Sequence, residues 1–140
     1  MRRVYWDTML FIYLSEGGPA MDRIWSVRKS MQERGDKLCT AMLTLGEIMV
    51  RPYRLGDLAA VEKLRRLMRP PEIEIIHFDE ETADHFARIR AVCRVAPADA
   101  IHLASAARAR ANLFLTNNRA LCRLHVPGID FIAPLDTELF

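Results

Sequence analysis

The chain begins with MRRVYWDTMLFIYL (residues 1–14), and this stretch sets the pattern that the rest of the sequence follows. A short β-prone run at residues 4–6 ends at Asp7, and a second apolar run follows Thr8. A carboxylate between two apolar segments is costly to bury unless it is paired or bound to an ion. In α/β proteins, ligands bind just past the carboxyl ends of the strands. We therefore interpret Asp7 as the first ligand of a divalent-metal site.

Composition and length predict one globular domain over residues 1–140. The chain is 51% apolar and 27% charged, which is typical of a folded protein. No apolar run reaches the ~18–20 residues that a membrane span requires. Asp7 also interrupts any signal-peptide core, so we expect a cytoplasmic protein without a membrane segment. The three cysteines lack CxxC spacing and are predicted to be buried free thiols.

The basic residues give only a weak indication of a nucleic-acid partner. The net charge is +2, which is no general nucleic-acid signature. Of the 20 basic residues, however, only Lys29, Lys37 and Lys63 are lysine. The remainder are arginine, which binds phosphate bidentately and stacks on bases. A GC-rich genome produces the same bias, so both explanations stay open.

The apolar periodicity predicts the element order β-α-α-β-α-α-β-α-α-β-β. This order indicates an α/β fold, a three-layer α/β/α sandwich with helices on both faces of a mostly parallel central sheet. Strands are predicted at residues 4–6, 38–41, 72–78, 113–115 and 129–132. Helices are predicted at residues 8–15, 20–34, 44–51, 58–69, 80–94 and 96–110.

Capping residues predict where several helices begin and end. Thr44 is a candidate N-cap with Glu47 in the capping-box position, and Pro52 is predicted to end that helix. Asp57 and Asp79 are candidate N-caps of the two following helices. These assignments give each acid a purely structural interpretation as well as a functional one.

Four polar residues occupy equivalent places in the predicted fold. Asp7 follows the first strand, Glu47 lies early in the helix after the second strand, Asp99 lies in the first turn of the alanine-rich helix, and Asn118 follows the Leu113–Leu115 run. Strand ends and the following helix starts share one edge of a parallel sheet, so these groups can converge. Carboxylates and water are the ligands that Mg²⁺ or Mn²⁺ prefers. Such a site can activate water and neutralise charge on a phosphodiester. For each acid considered separately, helix capping or a favourable interaction with the helix dipole also explains its position in the sequence.

Four segments of the chain, in order, resemble the motifs of PIN domains and, more narrowly, the toxin ribonucleases of VapBC toxin–antitoxin modules. They are VYWDTMLFIYL, TLGEIMV, RIRAVCRVAPADAIHLASA and ANLFLTNNRAL. The resemblance implies an α/β/α sandwich, Mg²⁺- or Mn²⁺-dependent endoribonuclease activity, homodimerisation and inhibition by a cognate antitoxin. It places metal-coordinating acids at Asp7, Glu47 and Asp99, and a hydroxyl role near the site at Thr116.

One position departs from the family pattern. The family has T-x-D at the strand end, whereas this chain reads TNN, so Asn118 stands where a fourth acid is expected. An amide can offer an oxygen to a metal but brings no charge. We therefore predict one tightly held Mg²⁺, or reduced activity.

The leading hypothesis is a Mg²⁺-dependent endoribonuclease toxin that cuts accessible single-stranded or loop RNA, with transfer RNA as the class-level expectation. The alternative is a catalytically weakened PIN-like module that binds RNA or an antitoxin without efficient cleavage.

Arg119 is a candidate RNA-phosphate contact or a solvated loop residue, and His102 is predicted to be a hydrogen-bonded core residue. A phosphoryl-accepting Asp7 is disfavoured because Met9 stands where a second aspartate is expected. The absence of a glycine-rich turn after the first strand disfavours a dinucleotide fold.

Overall fold

Five strands and six α-helices make up the part of the chain that the computed structural model describes, residues 2–137. Met1 and residues 138–140 of the predicted domain lie outside this range. The strands are β1 (Arg3–Trp6), β2 (Lys37–Ala41), β3 (Glu74–Ile76), β4 (Leu113–Thr116) and β5 (Phe131–Pro134). The helices are α1 (Thr8–Glu16), α2 (Met21–Arg34), α3 (Met42–Arg54), α4 (Leu58–Leu67), α5 (Glu80–Val92) and α6 (Pro97–Arg108), with a 3₁₀ turn at Leu121–Arg123.

The sheet has the order β3-β2-β1-β4-β5, and each of its strand pairs is parallel. The predicted α/β class is confirmed, and the expected mostly parallel sheet is parallel throughout. Strand β1 lies at the centre, with β2 on one side and β4 on the other. The chain order reverses at this point, which is where α/β folds open a crevice at the carboxyl edge.

Helices cover both faces of the sheet, as the three-layer prediction requires. Successive side chains of β1 point to opposite faces. Trp6 packs on one face with residues of α1, α2 and α3, and Tyr5 packs on the other with α5 and α6. Helix α6 contributes several buried alanines, which let it lie close to the strands. Among residues 2–137, each helix is too short or too polar to cross a bilayer.

Helix α3 begins earlier and ends later than predicted. Its N-cap is Ala41, so the predicted N-cap at Thr44 is wrong and the capping box does not form. Thr44 is instead buried in the first turn, where its hydroxyl lies 2.6 Å from that of Thr40. Pro52 lies inside the helix, because a proline near the end removes one backbone hydrogen bond without preventing the last turn. Glu47 therefore does not occupy the capping-box position of this helix.

Other boundaries differ by a few residues. Strand β5 lies two residues later than predicted because Ile129 is buried in the core from a loop. Helix α6 ends at Arg108, since Arg110 adopts a φ of 54° that a helix cannot continue. The predicted N-caps at Asp57 and Asp79 are confirmed, with each carboxylate accepting a backbone hydrogen bond in the first turn.

The cysteines differ in exposure, and this leads to a labelling prediction. Cys39 is buried, whereas Cys93 and Cys122 are half-buried. Burial raises the pKa of the Cys39 thiol to about 12, so its thiolate fraction at pH 8 is roughly a thousandfold below that of an ordinary cysteine. We expect a thiol reagent such as DTNB to label Cys93 and Cys122 in the native protein and Cys39 only after denaturation. Rapid labelling of Cys39 under native conditions, located by mass spectrometry, contradicts this prediction.

Candidate metal centre

The register of two neighbouring strands sets Asp7 beside Thr116. Trp6 of β1 is paired with Leu115 of β4, and the Asp7 amide donates to the Leu115 carbonyl at 3.0 Å. The Thr116 hydroxyl donates to Oδ2 of Asp7 at 2.8 Å, while Oδ1 accepts from the Thr8 amide at 2.8 Å and caps α1. Asp7 is only 9% exposed. Both of its oxygens are therefore oriented by the protein, and each keeps a further lone pair.

Glu47 reaches the same edge from the second turn of α3. Its Oε1 accepts hydrogen bonds from the Thr8 hydroxyl at 2.7 Å and from Nε2 of His102 at 2.6 Å. The hydrogen bond from His102 is the main reason why the pKa of Glu47 lies below its usual value. Burial acts in the opposite direction and raises this pKa, whereas the hydrogen bond from Thr8 lowers it further. Glu47 is thus ionised and held through one of its two oxygens.

Asp99 lies in the first turn of α6, two residues after Pro97, which begins the helix. Burial raises the pKa of Asp99, and the negative charges of Asp7 and Glu47 raise it further. Within residues 2–137, no side chain donates a hydrogen bond to its carboxylate. Three carboxylates therefore lie near one another at one edge of the sheet, and the charges of Asp7 and Glu47 repel that of Asp99.

His102 lies between these acids and the core. It is 2% exposed, and its Nε2 lies 3.1 Å from the Thr8 hydroxyl and 3.8 Å from Oδ1 of Asp7. Its Nδ1 lies 2.7 Å from the hydroxyl of Tyr5. The sequence indicated a hydrogen-bonded core histidine, but the roles of Thr8 and Tyr5 were missed. Strand periodicity offered a signal for Tyr5, since residues i and i+2 of a strand share a face and Tyr5 precedes Asp7 by two.

The PIN domain family model matches residues 4–126 of this chain, which is most of its length. The chain belongs to the PIN domain family. PIN domains are generally nucleases, and the carboxylate edge described above lies within the matched range. No protein among the curated sequences matches the chain significantly.

Three solved structures share the fold of this PIN domain. VapBC2 of Rickettsia felis, bound to a DNA fragment from its promoter, has a TM-score of 0.75 at 15% identity, covering 94% of this chain and 98% of that one. A toxin–antitoxin complex of Klebsiella pneumoniae has a TM-score of 0.65 at 21% identity, covering 90% and 94%. VapBC-5 of Mycobacterium tuberculosis has a TM-score of 0.56 at 20% identity, covering 94% and 98%. At these identities, the likeness is one of fold.

Asn118 and Arg119 lie past the end of β4, and their side chains have local partners. The amide oxygen of Asn118 accepts from the Ala120 backbone at 3.1 Å, and its own backbone N–H donates to the Thr116 hydroxyl at 3.0 Å. Arg119 is exposed and forms an ion pair with Asp136. Asn118 thus supports Thr116 through its backbone, while its side chain caps the following turn.

The donor chemistry of this edge fits a hard divalent cation. Among residues 2–137, no three Asp, Glu, His or Cys side chains are already grouped as a metal-binding cluster. The oxygens of Asp7, Glu47 and Asp99 are nevertheless the ligand type that Mg²⁺ and Mn²⁺ prefer. Burial, and then the charges of Asp7 and Glu47, raise the pKa of Asp99, and a bound cation would offset both effects. These three residues are the ones that could hold a metal.

Proposed function

We propose that this PIN domain is a Mg²⁺- or Mn²⁺-dependent endoribonuclease that acts as the toxin of a type II toxin–antitoxin system. The observation that carries the proposal is the approach of Asp7, Glu47 and Asp99 at the carboxyl edge of the sheet, where burial and the two neighbouring carboxylates raise the pKa of Asp99. Nuclease activity is general in the family, and hard-oxygen sites of this type suit phosphodiester hydrolysis.

The protein's own residues prepare the site in two ways. Asp7, Asp99 and Glu47 would hold the cation, which supplies a Lewis acid for activating water and for stabilising charge on the phosphodiester. The Thr116 hydroxyl orients Asp7 through its 2.8 Å hydrogen bond. Thr8 does the same for Glu47 through a 2.7 Å bond. Ligands fixed in this way do not have to reorganise during the reaction.

The RNA substrate is proposed to be single-stranded or loop RNA, with transfer RNA as a class. Bases in such regions are accessible, unlike those in an A-form helix. Arg119 is proposed to contact an RNA phosphate, for which it would exchange its exposed partner Asp136. Exposed pairs of this kind contribute little to stability, so the exchange has a small cost. The site of action is proposed to be the cytoplasm.

A cognate antitoxin and a second copy of the chain are the proposed protein partners. Among the structures of similar fold, that of Klebsiella pneumoniae is a toxin–antitoxin complex and VapBC-5 of Mycobacterium tuberculosis is a member of the VapBC family of toxin–antitoxin systems. This chain exposes large apolar side chains on its helices, including Trp25 on α2 and Leu58 and Leu67 on α4. Exposed apolar surface of this kind is typical of protein interfaces.

One observation favours a second candidate function, that of a weakened module that binds RNA or an antitoxin without efficient cleavage. Asn118 supplies no charge, and its amide oxygen is used by the Ala120 backbone. The site then has three acids where the family pattern has four, which lowers its affinity for a second cation.

A metal-removal experiment separates the two candidates. The purified protein is incubated with end-labelled transfer RNA and a synthetic RNA hairpin in Mg²⁺, in Mn²⁺ or in excess EDTA. We expect cleavage with either cation, none in EDTA, and recovery when Mn²⁺ is returned in excess, because water activation requires the cation. RNA binding without cleavage in all three conditions supports the weakened module instead.

The substitution Asn118→Asp tests the meaning of the missing acid. Aspartate caps turns as asparagine does, so the local fold is retained while a negative charge is added. We expect tighter Mn²⁺ binding by calorimetry and faster RNA cleavage, since the affinity of such sites increases with ligand charge. If both quantities equal those of the wild type, the fourth position does not limit metal binding.

A further inference from the structure

The hydroxyl of Tyr5 is buried behind the candidate metal centre, where it interacts with the Ala41 backbone, with His102 and with the Thr40 side chain. Tyr5 is fully buried in β1. Its oxygen accepts a hydrogen bond from the backbone amide of Ala41 at 3.1 Å and lies 2.7 Å from Nδ1 of His102. Ala41 is the N-cap of α3, the helix that carries Glu47. Tyr5 therefore connects the start of α3 to α6.

The directions of these hydrogen bonds follow from counting protons. The Tyr5 oxygen accepts the Ala41 proton, so its own proton is available to donate to Nδ1 of His102. A phenol with the ordinary pKa of about 10 is protonated at neutral pH, so the hydroxyl has this proton to donate. A neutral imidazole that accepts at Nδ1 must carry its proton on Nε2. That nitrogen is the one 2.6 Å from Oε1 of Glu47, which as a carboxylate can only accept.

We propose that Tyr5 and His102 form a positioning pair, in which Tyr5 holds His102 as the Nε2–H tautomer and His102 fixes Oε1 of Glu47. The other oxygen, Oε2, is left as the one available to a cation or to substrate. The part of this proposal that concerns the cation rests on the proposed function, whereas the tautomer of His102 does not. Neither residue touches the reacting atoms, so both act through Glu47.

The first experiment reads the tautomer directly, without cation or substrate. The ¹⁵N shifts of the histidine ring nitrogens are recorded at one neutral pH, and His102 is assigned by its loss in His102→Gln. We expect Nε2 protonated and Nδ1 unprotonated in the wild type, and a shifted Nδ1 resonance in Tyr5→Phe, which removes the hydrogen bond to that nitrogen. A ring protonated at both nitrogens, an Nδ1–H tautomer, or an unchanged spectrum in Tyr5→Phe overturns the proposal.

Tyr13→Phe is the matched control for loss of a tyrosine hydroxyl. Tyr13 accepts from the side chain of Asn117 at 2.7 Å and makes no hydrogen bond to His102 in the described chain. We expect its removal to leave the His102 shifts unchanged. A change as large as that in Tyr5→Phe shows a general loosening of the fold and overturns the assignment to Tyr5.

The second experiment measures Mn²⁺ binding by calorimetry. Loss of a residue that supports a metal ligand commonly weakens binding about 10- to 100-fold. We expect this range for His102→Ala and roughly a tenfold loss for Tyr5→Phe, which acts one hydrogen bond further away. Unchanged affinity in Tyr5→Phe, with its fold verified by thermal unfolding, overturns the positioning role.

A double variant separates positioning from simple packing. A glutamine amide can donate to Glu47 without help from Tyr5, so His102→Gln is expected to retain more Mn²⁺ affinity than His102→Ala. Adding Tyr5→Phe to His102→Gln should then cause no further loss, because the two residues act in series. Additive losses contradict the proposal. Absence of Mn²⁺ binding in the wild type, with the tautomer as expected, counts against the proposed function and leaves the His102 tautomer assignment standing.

Discussion

The substitution Asp7→Asn is expected to lower RNA cleavage at least about a hundredfold while the fold is retained. Removal of a residue that hydrogen-bonds to a metal ligand already lowers metal affinity or activity about 10- to 100-fold, and Asp7 is proposed to be a ligand itself. Asparagine is as good an N-cap as aspartate, so α1 keeps its cap. Removal of one negative charge also relieves Asp99, whose pKa Asp7 raises. We therefore expect a melting temperature equal to or above that of the wild type without added metal.

Asp57→Asn is the matched control. Asp57 is also an N-cap, but it lies on the exposed start of α4 and accepts from the Ala60 amide. The same change of charge and atoms should leave cleavage and Mn²⁺ affinity at wild-type values. Comparable cleavage by Asp7→Asn and Asp57→Asn, measured as initial rates on one RNA, would falsify the assignment of Asp7 to the metal centre.

The substitution Phe114→Ala is expected to cause the largest loss of stability, about 3–5 kcal/mol in the free energy of unfolding. Phe114 is fully buried in β4, and its ring is stacked on that of Tyr5, with the centroids 4.9 Å apart. A sheet covered on both faces cannot collapse to fill the space that the ring leaves. Urea denaturation followed by circular dichroism measures the change.

Phe131→Ala provides the comparison for this loss. Phe131 lies on the edge strand β5 and is 72% exposed. Its truncation is expected to change the free energy of unfolding by no more than about 0.5 kcal/mol. Equal destabilisation by the two phenylalanine variants contradicts the assignment of Phe114 to the core.

The sequence predicted the order of the elements because each helix and strand depends on local hydrophobic periodicity and on nearby residues that end it. The β1–Asp7–α1 pattern, the N-caps at Asp57 and Asp79 and the alanine-rich α6 are features of this kind. The errors occurred where tertiary packing overrode a local signal. Thr44 resembles an N-cap in sequence but is buried against Thr40, and Ile129 resembles a strand residue but packs from a loop.

The location of the candidate site also followed from sequence, since strand ends in a parallel sheet share one edge. The sequence placed Asp7, Glu47 and Asp99 at that edge, and the structure brings them close enough for their charges to interact. Their roles as metal ligands stay a prediction. The role of Asn118 at the site also stays a prediction, and its side-chain oxygen accepts a hydrogen bond from the Ala120 backbone, because an asparagine after a strand readily caps a turn.

The sequence by itself determined which chemical groups are available and, through the element order, which edge of the sheet they occupy. Only the tertiary structure decided how those groups are oriented. Tyr5 and His102 are 97 residues apart in the chain, and their hydrogen bond depends on how α6 packs on β1. Hydrogen bonds are directional and act over about 3 Å, so the partners of Glu47 and Asp7 are settled by packing that no local pattern encodes.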